Sequence, residues 1–245
     1  MAKPAKSLPA SRPSVSASPR ASARPLAVVV ASGGMDSSVC ISIAAQTYEP
    51  ALFHLNYGQR TERRELKAFR DLARHFRVKH TLIVDAGHFA QIGGSALTDP
   101  RLAVPDADEV GRGIPITYVP FRNANILAMA VSWAEVIGAR RVFIGAVEED
   151  SSGYPDCRES FLKAFNRAVQ TGTAAGRALA IEAPLLHLSK KEIVRLGASL
   201  QTPFELTWSC YQGEKVACGT CDSCRLRLKG FRQARLTDPI PYHPS

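Results

Sequence analysis

Four cysteines near the end of the chain have the residue type and spacing of a metal site. Cys210, Cys218, Cys221 and Cys224 form the pattern C-x7-C-x2-C-x2-C. Zinc takes four tetrahedral ligands, and thiolates separated by two residues bind one ion across the turn between them. An iron–sulfur cluster is the alternative, because C-x2-C-x2-C also occurs in ferredoxins. No proline-flanked remote cysteine follows, so the pattern favours zinc in a closed, structural site.

A loop of small residues near the start of the chain has the composition of a phosphate site. Residues 32–38 read SGGMDSS and directly follow the apolar run 26–31. Glycines let backbone N–H groups turn inward, and Ser37 and Ser38 would open a helix whose N-terminus attracts anions. Asp36 fits such a cradle only beside a cation, for which the Mg²⁺ that accompanies ATP is the candidate. The predicted nucleotide contacts are Ala31, Ser32, Gly33, Gly34, Met35, Asp36, Ser37, Ser38, Val39, Cys40 and Ile41.

Charged residues farther along the chain are candidates for holding a substrate. Asp156 offers acceptors to the N–H groups of a ligand, and Arg158 offers a bidentate fork to a carboxylate. Arg122 is able to do the same or to contact phosphate. Lys190 opens a helix, where a cation opposes the macrodipole unless it reaches a ligand phosphate. The plain alternative is that Asp156 and Arg158 pair with each other or cap the next helix.

Alternating strand and helix patterns predict the elements that must position these residues. The predicted strands are 26–31, 51–56, 78–84, 141–147 and 180–183, and the predicted helices are 37–47, 62–76, 123–137, 159–170 and 189–197, the last with a capping box and a terminal glycine. This order favours an α/β fold with a doubly wound parallel sheet. Ligands of such sheets bind at the carboxyl ends of the strands, where the phosphate loop and Asp156 would both lie.

Composition limits the classes of partner. The chain has 245 residues, of which 45% are apolar, enough for one sizeable core. Its net charge of +9 falls to +4 without residues 1–24, a segment with five basic and no acidic residues. We therefore expect no stable nucleic-acid partner, although the basic helix after Cys224 could face RNA, solvent, the site or a second subunit of a homodimer. The apolar stretch 126–138 is shorter than the ~20 residues of a membrane helix, and clustered cysteines suit a reducing, cytoplasmic compartment.

Three further motifs add a resemblance to a known family. The SGGMDSS loop resembles the pyrophosphatase loop of the ATP pyrophosphatases, which cleave ATP between its α and β phosphates and adenylate a substrate. PFRN at 120–123, GYPDCR at 153–158 and the cysteine segment 210–231 follow it in order. Together they resemble the 7-cyano-7-deazaguanine synthase family, from about residue 26 to residue 231.

The resemblance implies a reaction, its residues and a domain organisation. 7-Carboxy-7-deazaguanine, free ammonia and ATP would give 7-cyano-7-deazaguanine through adenylated intermediates, in queuosine biosynthesis. Asp36, Lys190 and Arg122 would be catalytic, Asp156 and Arg158 would bind the deazapurine carboxylate, and the metal would be zinc. A disordered tail (1–24), an adenine nucleotide α-hydrolase-like domain (25–204), a small helical zinc-binding segment (205–235) and an extension (236–245) would follow one another.

Two alternatives remain open. The same phosphate loop serves tRNA-modifying enzymes of the thiolase or lysidine synthase type, although a thiolase needs a redox-capable cysteine pair near the loop. A zinc-dependent RNA-binding protein without turnover is the contrasting class, and the intact loop argues against it. Cys157 lies within the substrate motif, where packing or chemistry would account for it.

Overall fold

A computed structural model describes residues 24–109, 113–148 and 153–244. The predicted disordered tail, residues 1–24, lies outside the described residues except for Arg24, so it stays a prediction. No helix within the described ranges is long and apolar enough to cross a membrane.

The core of the protein is a sheet of five parallel strands in the order β3-β2-β1-β4-β5. The strands are β1 (Leu26–Val30), β2 (Glu49–Asn56), β3 (His80–Asp85), β4 (Arg141–Phe143) and β5 (Ala180–Glu182). Successive strands are added on one side of β1 and then on the other. The strand order therefore reverses between β1 and β4, which is where a sheet of this kind leaves a crevice for ligands.

Helices cover both faces of this sheet. They are α1 (Met35–Thr47), α2 (Glu62–His75), α3 (His88–Ile92), α4 (Arg122–Ile137), α5 (Glu159–Gly172), α6 (Lys190–Ser199) and α7 (Asp222–Ala234). Val28 of β1 packs in one apolar cluster with α4 and α5, whereas its neighbours Ala27 and Val29 pack in a second cluster with α1, α2, α6 and α7. This alternation is the pattern of a strand buried on both sides. The predicted doubly wound α/β class is confirmed.

Two predicted boundaries are wrong for reasons of close packing. β4 ends at Phe143 instead of Val147, because beyond it the chain turns over the start of α1: a Cβ on Gly145 would lie 3.0 Å from the Ser37 nitrogen. Gly197 was expected to end α6, but it lies inside that helix, where a Cβ would lie 2.4 Å from the ring of Phe204. The capping box of α6 is confirmed, with Ser189 as its N-cap residue.

The C-terminal residues fold back onto the cysteine segment. Arg227 of α7 has a side chain only 1% exposed and pairs with Asp238 through two hydrogen bonds, Nε to Oδ2 at 2.7 Å and Nη2 to Oδ1 at 2.9 Å. Ala217 forms a bridge with Tyr242. The basic helix therefore keeps its central arginine inside the protein, and residues 236–244 cover the cysteine segment.

Candidate active site

The loop after β1 is held rigidly between α2 and the segment that precedes the cysteines. Trp208 donates its backbone N–H to the Gly33 carbonyl at 2.8 Å. Gly33 has a φ of +87°, and a Cβ there would lie 2.7 Å from the Glu65 carbonyl oxygen. Gly33 is thus required both by its backbone conformation and by the contact with α2.

Asp36 and Lys190 meet at the floor of the site. The Lys190 ammonium donates to Asp36 Oδ2 at 2.8 Å, and its side chain is 11% exposed. The other oxygen, Asp36 Oδ1, is buried and accepts no hydrogen bond within the described part of the chain. A buried carboxylate oxygen without a partner costs free energy unless a ligand supplies one. This oxygen therefore fits the cation that the sequence predicts beside Asp36.

Six of the eleven predicted nucleotide contacts line the cavity, and the other five, which include Gly33, do not. Ala31, Ser32, Gly34, Met35, Asp36 and Ser37 line the cavity described below, and the Ser37 hydroxyl donates to the Gly34 carbonyl at 3.0 Å. Ser38 is buried and donates to the Met35 carbonyl. Val39, Cys40 and Ile41 pack in the apolar cluster beneath the sheet. Burial raises the pKa of the Cys40 thiol, which keeps it protonated.

A cavity of about 280 Å³ lies over this loop, at the carboxyl edge of the sheet. Its base comes from the ends of β1, β2 and β4. One wall comes from Glu65 of α2 together with Tyr57 and the start of α4. Another part of the wall comes from the cysteine segment and the two residues before it: Trp208, Ser209 and Tyr211, then Asp222, Ser223, Leu226 and Arg227 of α7. The cysteine segment therefore forms part of the candidate site itself.

Arg122 is the first residue of α4 and places its guanidinium on the cavity wall. Its Nη1 donates to the Tyr57 hydroxyl at 2.8 Å, and its Cζ lies 5.2 Å from the centre of that ring. Burial raises the pKa of Tyr57 to about 12, so the phenol stays protonated. Arg122 is able to offer its remaining donors to an anion in the cavity.

Asp156 and Arg158 occupy different surroundings. Asp156 is 2% exposed and does not line the cavity; its Oδ2 accepts the Asn123 backbone N–H at 2.9 Å. It thereby caps α4, whose own N-cap residue, Phe121, is left-handed and provides no capping side chain. Burial raises the pKa of Asp156. Arg158 is exposed, lies outside the cavity lining and does not pair with Asp156.

Several wall residues were missed by the sequence analysis. Gly145 follows β4 at the point where the strand order reverses, and that position was a usable signal. Tyr57 and Glu65 carried no such signal, because a tyrosine after a strand and a glutamate in the first turn of an amphipathic helix are ordinary surface patterns. Tyr211 and Asp222 also line the cavity, and the sequence analysis assigned neither of them a role.

The four predicted metal ligands converge. The sulfur atoms of Cys210, Cys218, Cys221 and Cys224 all lie within 4.8 Å of one another. Thiolates bound to one zinc at ~2.3 Å would be about 3.8 Å apart, and the Cys218–Cys224 separation is 3.9 Å. Hydrogen bonds from the Cys221 and Cys224 thiols lower the pKa of Cys210, which also accepts backbone N–H groups from Cys218 and Gly213. The residues present fit a tetrahedral metal such as zinc.

Comparison with known proteins identifies the family of this chain. A family model described as "Queuosine biosynthesis protein QueC" matches residues 26–235. A 7-cyano-7-deazaguanine synthase of Chlorobium phaeobacteroides is 57% identical over 217 residues, which cover 88% of this chain and 96% of the relative. A 7-cyano-7-deazaguanine synthase of Acidobacterium capsulatum is 55% identical over 223 residues, 89% of this chain and 97% of the relative. The chain belongs to the QueC family.

Proposed function

We propose that this chain is a carbon–nitrogen ligase that converts 7-carboxy-7-deazaguanine, ammonia and ATP into 7-cyano-7-deazaguanine in queuosine biosynthesis. Membership of the family and the names of its relatives support the product. The observation that supports the dependence on ATP is the phosphate loop beside a partly buried Asp36–Lys190 pair, in which Asp36 Oδ1 is buried and accepts no hydrogen bond from the described residues.

In the proposed reaction the same carbon atom is activated twice, each time by transfer of AMP to an oxygen atom bonded to it. A carboxylate is a poor electrophile, so transfer of AMP to it creates a leaving group. Ammonia then displaces AMP and gives an amide. A second transfer of AMP to the amide oxygen, followed by loss of that oxygen with AMP and of both protons from the nitrogen, leaves the nitrile. Each round releases pyrophosphate.

The nucleotide end of the cavity is formed by residues that can bind and orient phosphates. Ser32, Gly34 and Ser37 line the cavity, as does Lys190, whose ammonium is bonded to Asp36, and the backbone N–H groups of this loop would bind phosphate oxygens. Preorganised donors of this kind stabilise charge that develops on a departing phosphate. Asp36 Oδ1 would hold Mg²⁺, which when bound neutralises charge on the pyrophosphate.

The substrate end contains a guanidinium suited to a carboxylate. Arg122 is on the wall and retains donors beyond its bond to Tyr57, so it would orient the carboxylate for adenylation. The roles predicted for Asp156 and Arg158 remain predictions. Asp156 acts in this conformation on the N-terminus of α4, next to Arg122.

The remaining parts of the proposal concern the metal, the partners and the compartment. Zinc at the four cysteines would be structural, because a closed four-thiolate site has no open position. Ammonia is the proposed nitrogen donor, the cytoplasm the proposed location and a homodimer the proposed assembly. Elemental analysis should find one zinc per chain and no iron; iron with sulfide would overturn the assignment.

One assay tests the proposal directly. The protein is incubated with MgATP, ammonium and the carboxylated base, and mass spectrometry is used to detect the nitrile while released nucleotides are separated. The expected products are the nitrile, AMP and pyrophosphate. Release of ADP alone, or turnover that does not depend on the base, would contradict the proposal. The tRNA-modifying alternative predicts turnover only with tRNA, and the chain's membership of the QueC family does not favour it.

A further inference from the structure

Glu65 lies on the cavity wall, and the proposed function gives it no role. Its carboxyl accepts hydrogen bonds from the Thr61 hydroxyl at 2.8 Å and from the Gln59 side-chain amide at 3.2 Å. Both donors are neutral. Across the described residues, no lysine, arginine or histidine forms a salt bridge with Glu65. Its carboxylate charge is therefore not neutralised by direct contact with a cation.

Glu65 lies close to both the phosphate loop and Arg122, the proposed sites for the nucleotide and for the carboxylate. Its backbone packs directly beneath Gly33 of the phosphate loop. The guanidinium of Arg122, the proposed carboxylate clamp, is near enough to act electrostatically on its carboxyl. A carboxylate that is held by Arg122 and joined to AMP at the loop would therefore have its reacting carbon beside Glu65.

The surroundings of Glu65 also bring the pKa of its carboxyl close to neutral pH. Burial raises the pKa of Glu65 to about 7, although hydrogen bonds from Thr61 and Gln59 and the charge of Arg122 act in the opposite direction. A group with a pKa near the working pH is the most effective acceptor of a proton in catalysis.

We propose that Glu65 is the general base of amide formation, an inference that rests on the proposed function. Neutral ammonia donates its electron pair to the carbonyl carbon of the acyl adenylate, and a C–N bond forms. The nitrogen then carries a positive charge, and the Glu65 carboxylate takes one of its protons. The C–O bond to AMP breaks with its electron pair on the phosphate oxygen. Glu65 later returns the proton to solvent.

Other charged or titratable groups face the same space. Arg122 of α4, Tyr57 after β2, Tyr154 and Tyr211 line the cavity, whereas Glu62 lies outside the lining and acts on Glu65 only electrostatically, from the same helix. Asp36 and Lys190 line the cavity as a pair, and α7 contributes Asp222 and Arg227. A pH profile is therefore interpreted only by comparison between variants.

Two partial reactions separate the proposed step from adenylation. Adenylation is followed without ammonium, as exchange of labelled pyrophosphate into ATP that depends on the carboxylated base. Amide formation is followed in single turnovers after ammonium is added. We expect Glu65→Gln to retain exchange within about threefold and to lose amide formation by roughly 100-fold or more, the usual contribution of a general base. Glu62→Gln removes a like charge from the same helical turn, outside the cavity lining, and should change neither rate more than about twofold.

The pH dependence gives a second, independent readout. At a fixed concentration of free ammonia, amide formation by the wild type should rise with pH around a midpoint near 7, and Glu65→Gln should lack this rise. Glu65→Asp keeps a titratable carboxyl one methylene farther away. It should react about tenfold more slowly than the wild type while keeping a midpoint.

Three results would overturn the assignment. Equal losses of exchange and amide formation in Glu65→Gln would place the residue in binding or adenylation. A wild-type rate of amide formation in that variant, or a flat pH profile in Glu65→Asp, would show that Glu65 is not the general base. If the wild type shows no base-dependent exchange, the proposed function fails first, and the role of Glu65 falls with it.

Discussion

Two ion pairs in this protein differ in how completely their charges are satisfied. The Asp238 carboxylate receives two bonds from Arg227, one from the Tyr242 hydroxyl and one from the Ile240 backbone N–H. Arg227 also donates to the Thr207 hydroxyl. The Asp36 carboxylate receives one bond, from Lys190, and its second oxygen is buried without a partner inside the described ranges.

The difference separates a charge that holds structure from a charge that awaits a ligand. A saturated pair has no capacity left, and removing one partner leaves an uncompensated buried charge. An unsaturated pair keeps capacity at a cost in folding free energy that binding recovers. The two pairs differ in burial as well as in hydrogen bonding: the side chains of Arg227 and Asp238 are 1% and 4% exposed, whereas those of Lys190 and Asp36 are 11% and 28% exposed.

Breaking the saturated pair should have the largest effect. Arg227→Ala should lower the free energy of unfolding by ~3–5 kcal/mol, because Asp238 would keep its charge without its partner. Urea denaturation measures this change, and Arg232→Ala, an exposed position on the same helix, should stay within about 0.5 kcal/mol of the wild type. A loss below 1 kcal/mol at Arg227 would mean that the pair is not structural.

Breaking the unsaturated pair should affect turnover instead of stability. Asp36→Asn should lower the rate of AMP release by about 100-fold, since removal of one preorganised polar group commonly has this effect. Its unfolding free energy should change by less than about 1 kcal/mol, because the pair is partly exposed and makes one contact. Asp71→Asn, in a surface pair on α2, serves as the control. Normal turnover in Asp36→Asn would show that Asp36 has no role in catalysis.

The two candidate arginines sharpen the comparison at the substrate end. Arg122→Ala should weaken binding of the carboxylated base by roughly ten- to a hundredfold, the value of a charged hydrogen-bonded partner. Its affinity for ATP should be nearly unchanged, and titration of each ligand by calorimetry measures both. Arg158→Ala is the matched variant. A loss of base affinity at Arg158 as large as that at Arg122 would support the sequence-based assignment of Arg158.

The smallest effect concerns Glu65, whose donors are neutral. Its pKa of about 7 lies above the ordinary value of 4.5, so the folded state binds more protons than the unfolded state between these values. Stability should therefore fall as the pH rises from about 4.5 to 7. Thermal melting across this range should show a shallower decline in Glu65→Gln. An equal decline in both proteins would mean that Glu65 titrates normally.

Sequence reasoning succeeded where a local pattern carries the structure. The strands next to β1, the capping box at Ser189 and the convergence of the four cysteines all follow from spacing and residue type. It failed where a distant contact decides. β4 ends early because Gly145 passes over α1, and Asp156 faces α4 because Phe121 provides no cap. Neither contact can be predicted from the residues that are adjacent in sequence.

The candidate site shows the same division. Asp36 and the loop were found because they follow a buried strand, and Lys190 was found through the family resemblance. Glu65 was missed because it does not disturb the amphipathic pattern of α2. The buried residues of that helix are Ala68, Phe69 and Leu72. Its role depends on which residues of other elements lie opposite, and only the folded chain shows this.

The hydrogen bond between Trp208 and Gly33 has a consequence for dissecting the protein. A fragment that ends near residue 204 would keep every strand and the whole phosphate loop, yet it would lose the clasp on that loop and one side of the cavity. Exchange of the C-terminal segment alone between relatives would also replace residues that line the cavity. The two parts are separable in sequence and inseparable as a catalyst, so a chimera between relatives should exchange them only together.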